Sequence, residues 1–140
     1  VFVDEIHRFN RAQQDAFLPR VEAGDVLLVA ATTENPSFEV NAALLSRCRV
    51  FTLHPLAPDA IAKLVRRASE DEERGLGKHH VEISEAVVAA IAQASDGDAR
   101  RALGILEAAV SMHCGSANVD APLALETVRD LLDQALGELQ

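Results

Sequence analysis

The first 54 positions contain three short runs that are typical of strands, at residues 1–3, 26–31 and 50–53; the first two are entirely apolar and the third includes Thr52. A run of this kind between turn residues is typical of a strand that is buried on both faces of a sheet. Segments that can form helices separate the runs. The order strand, helix, strand, short helix, strand predicts parallel pairing with right-handed crossovers.

Helical spacing begins after the first run. Asn10 and Gln13 have the capping-box pattern, and apolar positions then recur at roughly helical spacing as far as Gly24. We expect one helix here with a kink at Pro19, because proline has no backbone N–H to donate. Residues 42–45 predict a second, short helix.

From residue 55 onward helical periodicity dominates, which predicts a domain boundary with residues 1–54 on one side and residues 55–140 on the other. Four helices are expected in the second part. The first helix should start at Pro58 and Asp59 and end near Gly75, and the second should start at Ser84. The third should start at Asp98 and end before Gly115, and the fourth should start at Asp120 and Pro122. The last helix should carry one apolar face, made of Leu125, Val128, Leu131, Leu132 and Leu136. The predicted fold class is therefore α/β, a parallel sheet segment followed by an all-α bundle.

Composition restricts the classes of function. The chain has 140 residues, is 49% hydrophobic and carries a formal net charge of −9, which argues against a broadly basic nucleic-acid surface. Any DNA contact must therefore be local, or lie outside these residues. No apolar run approaches the roughly 20 residues of a membrane span. Cys48 and Cys114 are far apart, which favours reduced thiols in a cytoplasmic protein and predicts no structural metal site.

Asp4 and Glu5 follow the first predicted strand directly. A buried strand that ends in paired carboxylates is what a P-loop ATPase uses to hold Mg²⁺ and activate water. Asp4 would then lie beside the metal and Glu5 would be the general base, although acids at a strand end often simply face solvent. The sequence contains no G-x-x-x-x-G-K-[ST] loop. We therefore expect a fragment whose phosphate-binding loop lies upstream, and poor ATP binding by these residues alone.

A sheet segment with Asp4-Glu5, followed by helices, resembles the AAA+ ATPases from the Walker B strand onward. The resemblance implies that residues 1–54 are the C-terminal part of the ATPase core and that residues 55–140 are the helical lid and the start of a linker to a further C-terminal domain. Thr32 and Thr33 end the second strand, where that superfamily places its first sensor residue, and Thr33 is the better candidate of the two. A hydroxyl can orient the lytic water without adding charge. Threonine is also simply a good residue at a strand end.

Two arginines complete the resemblance. Arg47, in Ser46-Arg47-Cys48, looks like the arginine finger of clamp-loader ATPases, which reaches the nucleotide of a neighbouring subunit. Arg100 lies in a segment, residues 97–103, similar to the lid motif that carries the second sensor and touches the γ-phosphate. Arg101 is the weaker alternative. Without the resemblance, Arg47 reads as a surface arginine and residues 97–103 as an ordinary capped helix start.

Within the AAA+ proteins, the segments at residues 4–10, 13–15, 18–22 and 31–38 resemble the replication-associated recombination protein A family (RarA, also called MgsA), whose eukaryotic relatives interact with the Werner helicase. The resemblance covers nearly the whole chain. It implies a DNA-dependent ATPase that uses ATP and Mg²⁺ and acts at stalled replication forks and in recombination-linked repair.

The same resemblance implies DNA forks, gaps and duplex ends as ligands, and single-strand DNA-binding protein as a partner. It also implies a homo-oligomer, a tetramer formed through a C-terminal domain beyond these residues, and a bacterial cytoplasmic, nucleoid-associated protein. Two alternatives share the same ATPase parts, a clamp-loader subunit and a branch-migration motor. A third alternative is a non-catalytic AAA+ interaction module.

Overall fold

The computed structural model describes the backbone of residues 1–137 and the side chains of residues 1–135, so the predicted apolar position Leu136 lies outside the described side chains. The chain divides into two compact units, Val1–Leu53 and His54–Gln140. The assignment of these units to an ATPase core and a lid stays a prediction. Within the described residues, no helix is both long enough and apolar enough to cross a membrane.

A two-stranded parallel sheet begins the first unit. Strand β1 (Phe2–Val3) pairs with β2 (Val29–Ala30), with Phe2 opposite Val29 and Val3 opposite Ala30. Parallel pairing agrees with the prediction, but burial on both faces does not. Phe2 and Val29 are opposite each other in the sheet and are 68% and 51% exposed, so the face that they share is not covered within this unit.

The predicted third strand at residues 50–53 is absent from the described structure. A strand needs a neighbour that exchanges backbone hydrogen bonds with it. Within the described residues, the backbone of residues 50–53 makes no such bond with another segment. Phe51 and Leu53 are accordingly 75% and 92% exposed. The prediction of a strand at residues 50–53 is therefore wrong for the described structure.

Four short helices and a 3₁₀ turn (Ile6–Arg8) complete the first unit. The helices are α1 (Arg11–Asp15), α2 (Leu18–Glu22), α3 (Pro36–Glu39) and α4 (Ala42–Leu45). The predicted capping box of Asn10 and Gln13 is present. The single kinked helix is wrong, because Pro19 lies in the first turn of a separate helix, where no N–H is needed. The buried core of this unit consists of Val3, Ile6 and Leu44.

As far as residue 137, the second unit is a bundle of four helices, α5 (Pro58–Glu70), α6 (Glu85–Ala94), α7 (Ala99–Cys114) and α8 (Leu125–Gly137), with a 3₁₀ turn at Gly77–His79. Ser84 and Asp98 cap α6 and α7 as predicted. One continuous core holds the helices together, and its fully buried side chains include Ile61, Val65, Val87, Ile91, Leu106 and Val128.

Two predicted helix ends are wrong. Helix α5 stops at Glu70, short of Gly75, because the Asp71 carboxylate accepts the backbone N–H groups of Glu73 and Arg74 at 2.9 and 2.8 Å and so turns the chain. Helix α8 begins at Leu125 rather than at Asp120 or Pro122. The backbone N–H of Leu123 donates to Glu82 O at 2.9 Å, which holds this segment outside the helix.

Candidate active site

The ends of β1 and β2 are joined by a continuous ladder of backbone bonds. Ala31 N–H donates to Val3 O at 2.9 Å, and Ile6 N–H donates to Ala31 O at 3.0 Å. The residues that follow each strand are therefore held at the same edge of the sheet. That edge presents Asp4 and Glu5 from the first strand and Thr32 from the second, as the predicted parallel pairing requires.

Glu5 has an unusual backbone conformation. Its φ of 54° and ψ of 46° lie in the left-handed region, which costs a residue other than glycine roughly 1 kcal/mol or more. The side chain is 31% exposed, and its Oε2 lies 3.3 Å from His7 Nε2 and 3.6 Å from Arg8 Nε. Asp4 is exposed, and its Oδ1 accepts the Glu5 N–H at 3.0 Å.

The two candidate sensor threonines have different surroundings. Thr32 is half-buried, its Oγ1 lies 2.8 Å from His7 Nδ1, and the same oxygen accepts the Glu34 N–H at 3.0 Å. Thr33 is exposed. The structure thus connects Thr32 to Glu5 through His7 and leaves the hydroxyl of Thr33 accessible to solvent. The choice between them as sensor stays a prediction.

Arg47 follows α4 in the first unit. Its Nη1 donates to Ala43 O at 2.8 Å and to Ser46 Oγ at 3.2 Å, and its Nη2 lies 2.6 Å from Glu22 Oε1. Both members of the ion pair are more than a third exposed, with side-chain values of 42% for Arg47 and 48% for Glu22. The guanidinium is therefore folded back on its own unit, in a contact that solvent can enter.

Arg100 and Arg101 lie in the first turn of α7, in the second unit, and both are exposed. Their backbone N–H groups donate to Asp98 Oδ1 at 2.8 and 3.1 Å. The positive end of a helix dipole normally disfavours cations and favours anions. Two guanidinium groups at this helix start are thus placed where an anion would relieve their electrostatic cost.

Gly97 sets the geometry of that helix start. Its φ of 77° is in the left-handed region, and its carbonyl accepts the Leu56 N–H at 3.0 Å. A Cβ at this position would lie 2.7 Å from Pro55 Cβ and 2.8 Å from Leu56 O. Only glycine fits both the backbone conformation and the close approach.

Sequence reasoning missed three side chains around these candidates. His7, Gln14 and Glu22 lie in the segments that carry the family resemblance, but the sequence alone assigned them no role. Gln14 is 2% exposed and bonds with three backbone groups, those of Phe9, Glu39 and Asn41. The nearby Glu5 carboxylate could have pointed to His7. Nothing local indicates Glu22, because its partner lies 25 positions later in the chain.

The residues present fit one side of a magnesium-nucleotide site. Mg²⁺ is usually bound through one or two carboxylates together with substrate phosphates and water, and the exposed carboxylate of Asp4 offers oxygen ligands of this kind. A phosphate-cradling glycine loop is not in the sequence. These 140 residues thus offer carboxylate oxygens that could face such a site, whereas their sequence has no phosphate cradle.

Comparison with known proteins identifies the family. The model of the AAA C-terminal domain matches residues 77–138. Replication-associated recombination protein A of Haemophilus influenzae is 47% identical over 140 residues, which are 100% of this chain and 30% of that protein. The chain belongs to the replication-associated recombination protein A family of AAA+ ATPases. The predicted family assignment is confirmed.

Other relatives agree with membership of the replication-associated recombination protein A family. The Escherichia coli K12 protein of that name is 46% identical over 99% of this chain and 30% of its own length. ATPase WRNIP1 of Dictyostelium discoideum is 43% identical over 79% of this chain and 12% of its own length. The chain thus spans 30% of the length of the two bacterial relatives.

The fold agrees as well. The Thermotoga maritima RuvB Holliday junction branch migration motor superposes with a TM-score of 0.75 at 26% identity, over 94% of this chain and 43% of that one. This likeness confirms the predicted fold class, an AAA+ sheet segment followed by a helical part.

Proposed function

We propose that this chain supplies the Walker B, sensor, arginine-finger and lid parts of an ATPase that acts at stalled replication forks and in recombination-linked DNA repair. One observation carries the proposal. The acidic pair Asp4-Glu5 and the polar pair Thr32-Thr33 end two adjacent parallel strands, joined by the bond from Ile6 N–H to Ala31 O at 3.0 Å. Such an edge can present a base, a metal ligand and a hydroxyl to one phosphate group.

The proposed reaction is in-line attack of water on the γ-phosphate of ATP. Asp4 binds the metal side of the nucleotide through water, Glu5 takes the proton from the attacking water, and Thr33 orients that water. When bound, Mg²⁺ neutralises charge on the phosphate oxygens. The exposure of Thr33 supports its part, because water and phosphate can reach its hydroxyl.

Arg47 acts in trans in this proposal, and Arg100 acts in cis. A guanidinium from a neighbouring subunit stabilises charge on the transferring phosphoryl group, so hydrolysis depends on assembly into a homo-oligomer. The partly exposed pair with Glu22 supports a side chain that can be released. Arg100 reports the bound nucleotide to the lid, and its position at the start of α7 supports an anionic partner.

DNA and partner proteins are proposed from what the family resemblance implies rather than from a basic surface. The names of the bacterial relatives connect them with replication and recombination. We propose forks, gaps and duplex ends as DNA ligands, single-strand DNA-binding protein as a partner, a tetramer as the assembly and the bacterial nucleoid as the location. The net charge of −9 leaves DNA binding to local arginines or to parts of the protein outside these residues.

The test is ATP turnover by the full-length protein, with and without forked or gapped DNA, in the wild type, Glu5→Gln and Arg47→Ala. We expect DNA to stimulate the wild type, Glu5→Gln to bind ATP without turnover, and Arg47→Ala to lose the stimulated rate. Retained turnover in Glu5→Gln would remove Glu5 from the base role. Turnover indifferent to DNA would move the proposal toward a protein-remodelling or interaction module.

A branch-migration motor is the second candidate, because the RuvB structure superposes on 94% of this chain. Holliday junctions should then stimulate turnover more strongly than forks of equal length. A clamp-loader subunit would respond instead to a sliding clamp. Adding each substrate to the same ATPase assay separates these possibilities.

A further inference from the structure

We propose that His7 is a positioning residue, which fixes the Glu5 carboxylate relative to the end of the second strand through Thr32. The inference rests on the proposed function, because His7 has this task only if Glu5 is the base. It adds a residue to the site and gives the two threonines separate roles.

The imidazole bridges two segments that are distant in sequence. Its Nδ1 lies 2.8 Å from Thr32 Oγ1, and its Nε2 lies 3.3 Å from Glu5 Oε2. The side chain of His7 is only 16% exposed, compared with 31% for Glu5. The contact thus ties the carboxylate to the edge of β2 rather than to another flexible surface group.

The donors and acceptors along the bridge are mutually consistent. A carboxylate only accepts, so the arrangement that attracts Glu5 has a proton on Nε2, the imidazole nitrogen 3.3 Å from Glu5 Oε2. In the neutral ring, Nδ1 then accepts the Thr32 hydroxyl proton. That hydroxyl in turn accepts the Glu34 N–H at 3.0 Å, which fixes its orientation. Each group from the Glu34 backbone to Glu5 therefore has one assigned role.

Glu5 needs such an anchor because its other contact is weak. Arg8 Nε is 3.6 Å away, and the Arg8 side chain is 76% exposed, so water competes for the guanidinium. A base must be held close to its productive position, since a displacement of about 1 Å can reduce turnover by roughly 100-fold. His7 is the more buried of the two neighbours, and its nitrogen is also the nearer one, at 3.3 Å from Glu5 Oε2.

The hydroxyl of Thr32 is consequently engaged by His7 and by the Glu34 N–H. Its hydroxyl serves His7, whereas the exposed Thr33 remains able to bind water or phosphate. Two adjacent threonines at one strand end thus have different roles. Thr32 holds the base, and Thr33 faces the substrate.

The experiment uses the full-length protein and compares His7→Gln, His7→Asn and His7→Ala. The amide of glutamine replaces Nε2, which faces Glu5, and the amide of asparagine replaces Nδ1, which faces Thr32. We expect His7→Ala to lower kcat by about 10- to 100-fold with KM for ATP nearly unchanged. His7→Gln should retain more of kcat than His7→Asn. Thr32→Val should lower kcat as well, and adding it to His7→Ala should cause little further loss.

His54→Ala, which changes an exposed histidine, is the matched control and should turn over ATP like the wild type. Glu5→Gln is measured in parallel. If Glu5→Gln is inactive while His7→Ala keeps kcat within about two-fold of the wild type, the positioning role is wrong and the proposed function stands. If Glu5→Gln is active, both the positioning role of His7 and the proposed role of Glu5 as the base are wrong. Should His7→Ala not fold, equal kcat values for the glutamine and asparagine variants would overturn the inference.

Discussion

Arg47 and Glu22 form an ion pair within the first unit, with 2.6 Å between Nη2 and Oε1. A guanidinium that acts on a neighbouring subunit must leave this carboxylate first. Exposed pairs of this kind are worth at most about 1 kcal/mol. Glu22 therefore competes only weakly with a neighbouring subunit's nucleotide for the Arg47 guanidinium.

Glu22→Gln in the full-length protein should raise the assembly-dependent ATPase rate by up to about five-fold, which is the factor that corresponds to 1 kcal/mol. The measurement is turnover as a function of protein concentration. Asp25→Asn is the matched control, because it removes the neighbouring Arg20 pair at 3.1 Å without touching Arg47. A loss of rate equal to that of Arg47→Ala would mean that Glu22 positions the arginine instead.

Gln14→Leu should destabilise the chain by about 2–4 kcal/mol, because it leaves two carbonyls and one N–H without their buried partner. Gln14 donates to Phe9 O and Glu39 O at 3.1 and 2.9 Å and accepts the Asn41 N–H at 2.8 Å. Urea unfolding measures the change. Gln13→Ala, at the exposed neighbouring position, removes only a helix cap and should cost about 1 kcal/mol. Equal losses for the two variants would show that the buried network contributes little.

Arg100→Gln should leave the stability of the helical unit unchanged or raise it by a few tenths of a kcal/mol, because a cation at a helix start opposes the helix dipole. In the full-length protein the same change should weaken the response to ATP. Thermal unfolding and nucleotide affinity are the two measurements. Arg101→Gln is the control, with the same effect on stability and little effect on affinity. The larger loss of affinity in Arg101→Gln would transfer the sensor role to that residue.

Acid should destabilise the helical unit through Glu85 and Asp71. The hydrogen bond from Arg66, 3.0 Å from Nε to Oε1, holds the pKa of Glu85 below its ordinary value. The backbone N–H groups of Arg74 and Glu73 lower the pKa of Asp71. A lowered pKa means that the stabilisation is complete above the unfolded value, near pH 4, and is lost as the pH falls through the folded value.

The measurement for this prediction is the urea midpoint between about pH 6 and pH 3, followed by helical circular dichroism. Glu85→Gln and Asp71→Asn should each flatten the dependence on pH. Glu107→Gln removes an exposed carboxylate from α7 and is the control for charge alone. If the urea midpoints of the Glu85 and Asp71 variants fall with pH as steeply as that of the wild type, these two carboxylates are not the source of the acid sensitivity.

The second unit was more predictable from sequence than the first. Ser84 and Asp98 cap their helices as expected, because a cap acts within three residues of itself. The strands were harder. A strand depends on partners that are distant in sequence, so the run at residues 50–53 has the right composition without a partner in the described structure.

The candidate site shows the same contrast between features that depend on neighbours in sequence and features that depend on distant residues. Asp4 and Glu5 follow a strand directly and could be recognised from the local pattern. The contact of His7 with Thr32 joins positions 25 residues apart and depends on the parallel register of β1 and β2. Glu22 could not be predicted from its neighbours, because the ion pair with Arg47 exists only after α2 and the end of α4 meet.

The narrow sheet of the first unit has a practical consequence for handling the protein. Phe2, Val29, Phe51 and Leu53 expose more than half of their surface. Open strand edges beside exposed apolar side chains promote pairing between molecules. Preparations of these 140 residues alone should therefore precipitate as concentration and salt increase, and a fusion partner or added charge near Phe51 should delay that aggregation.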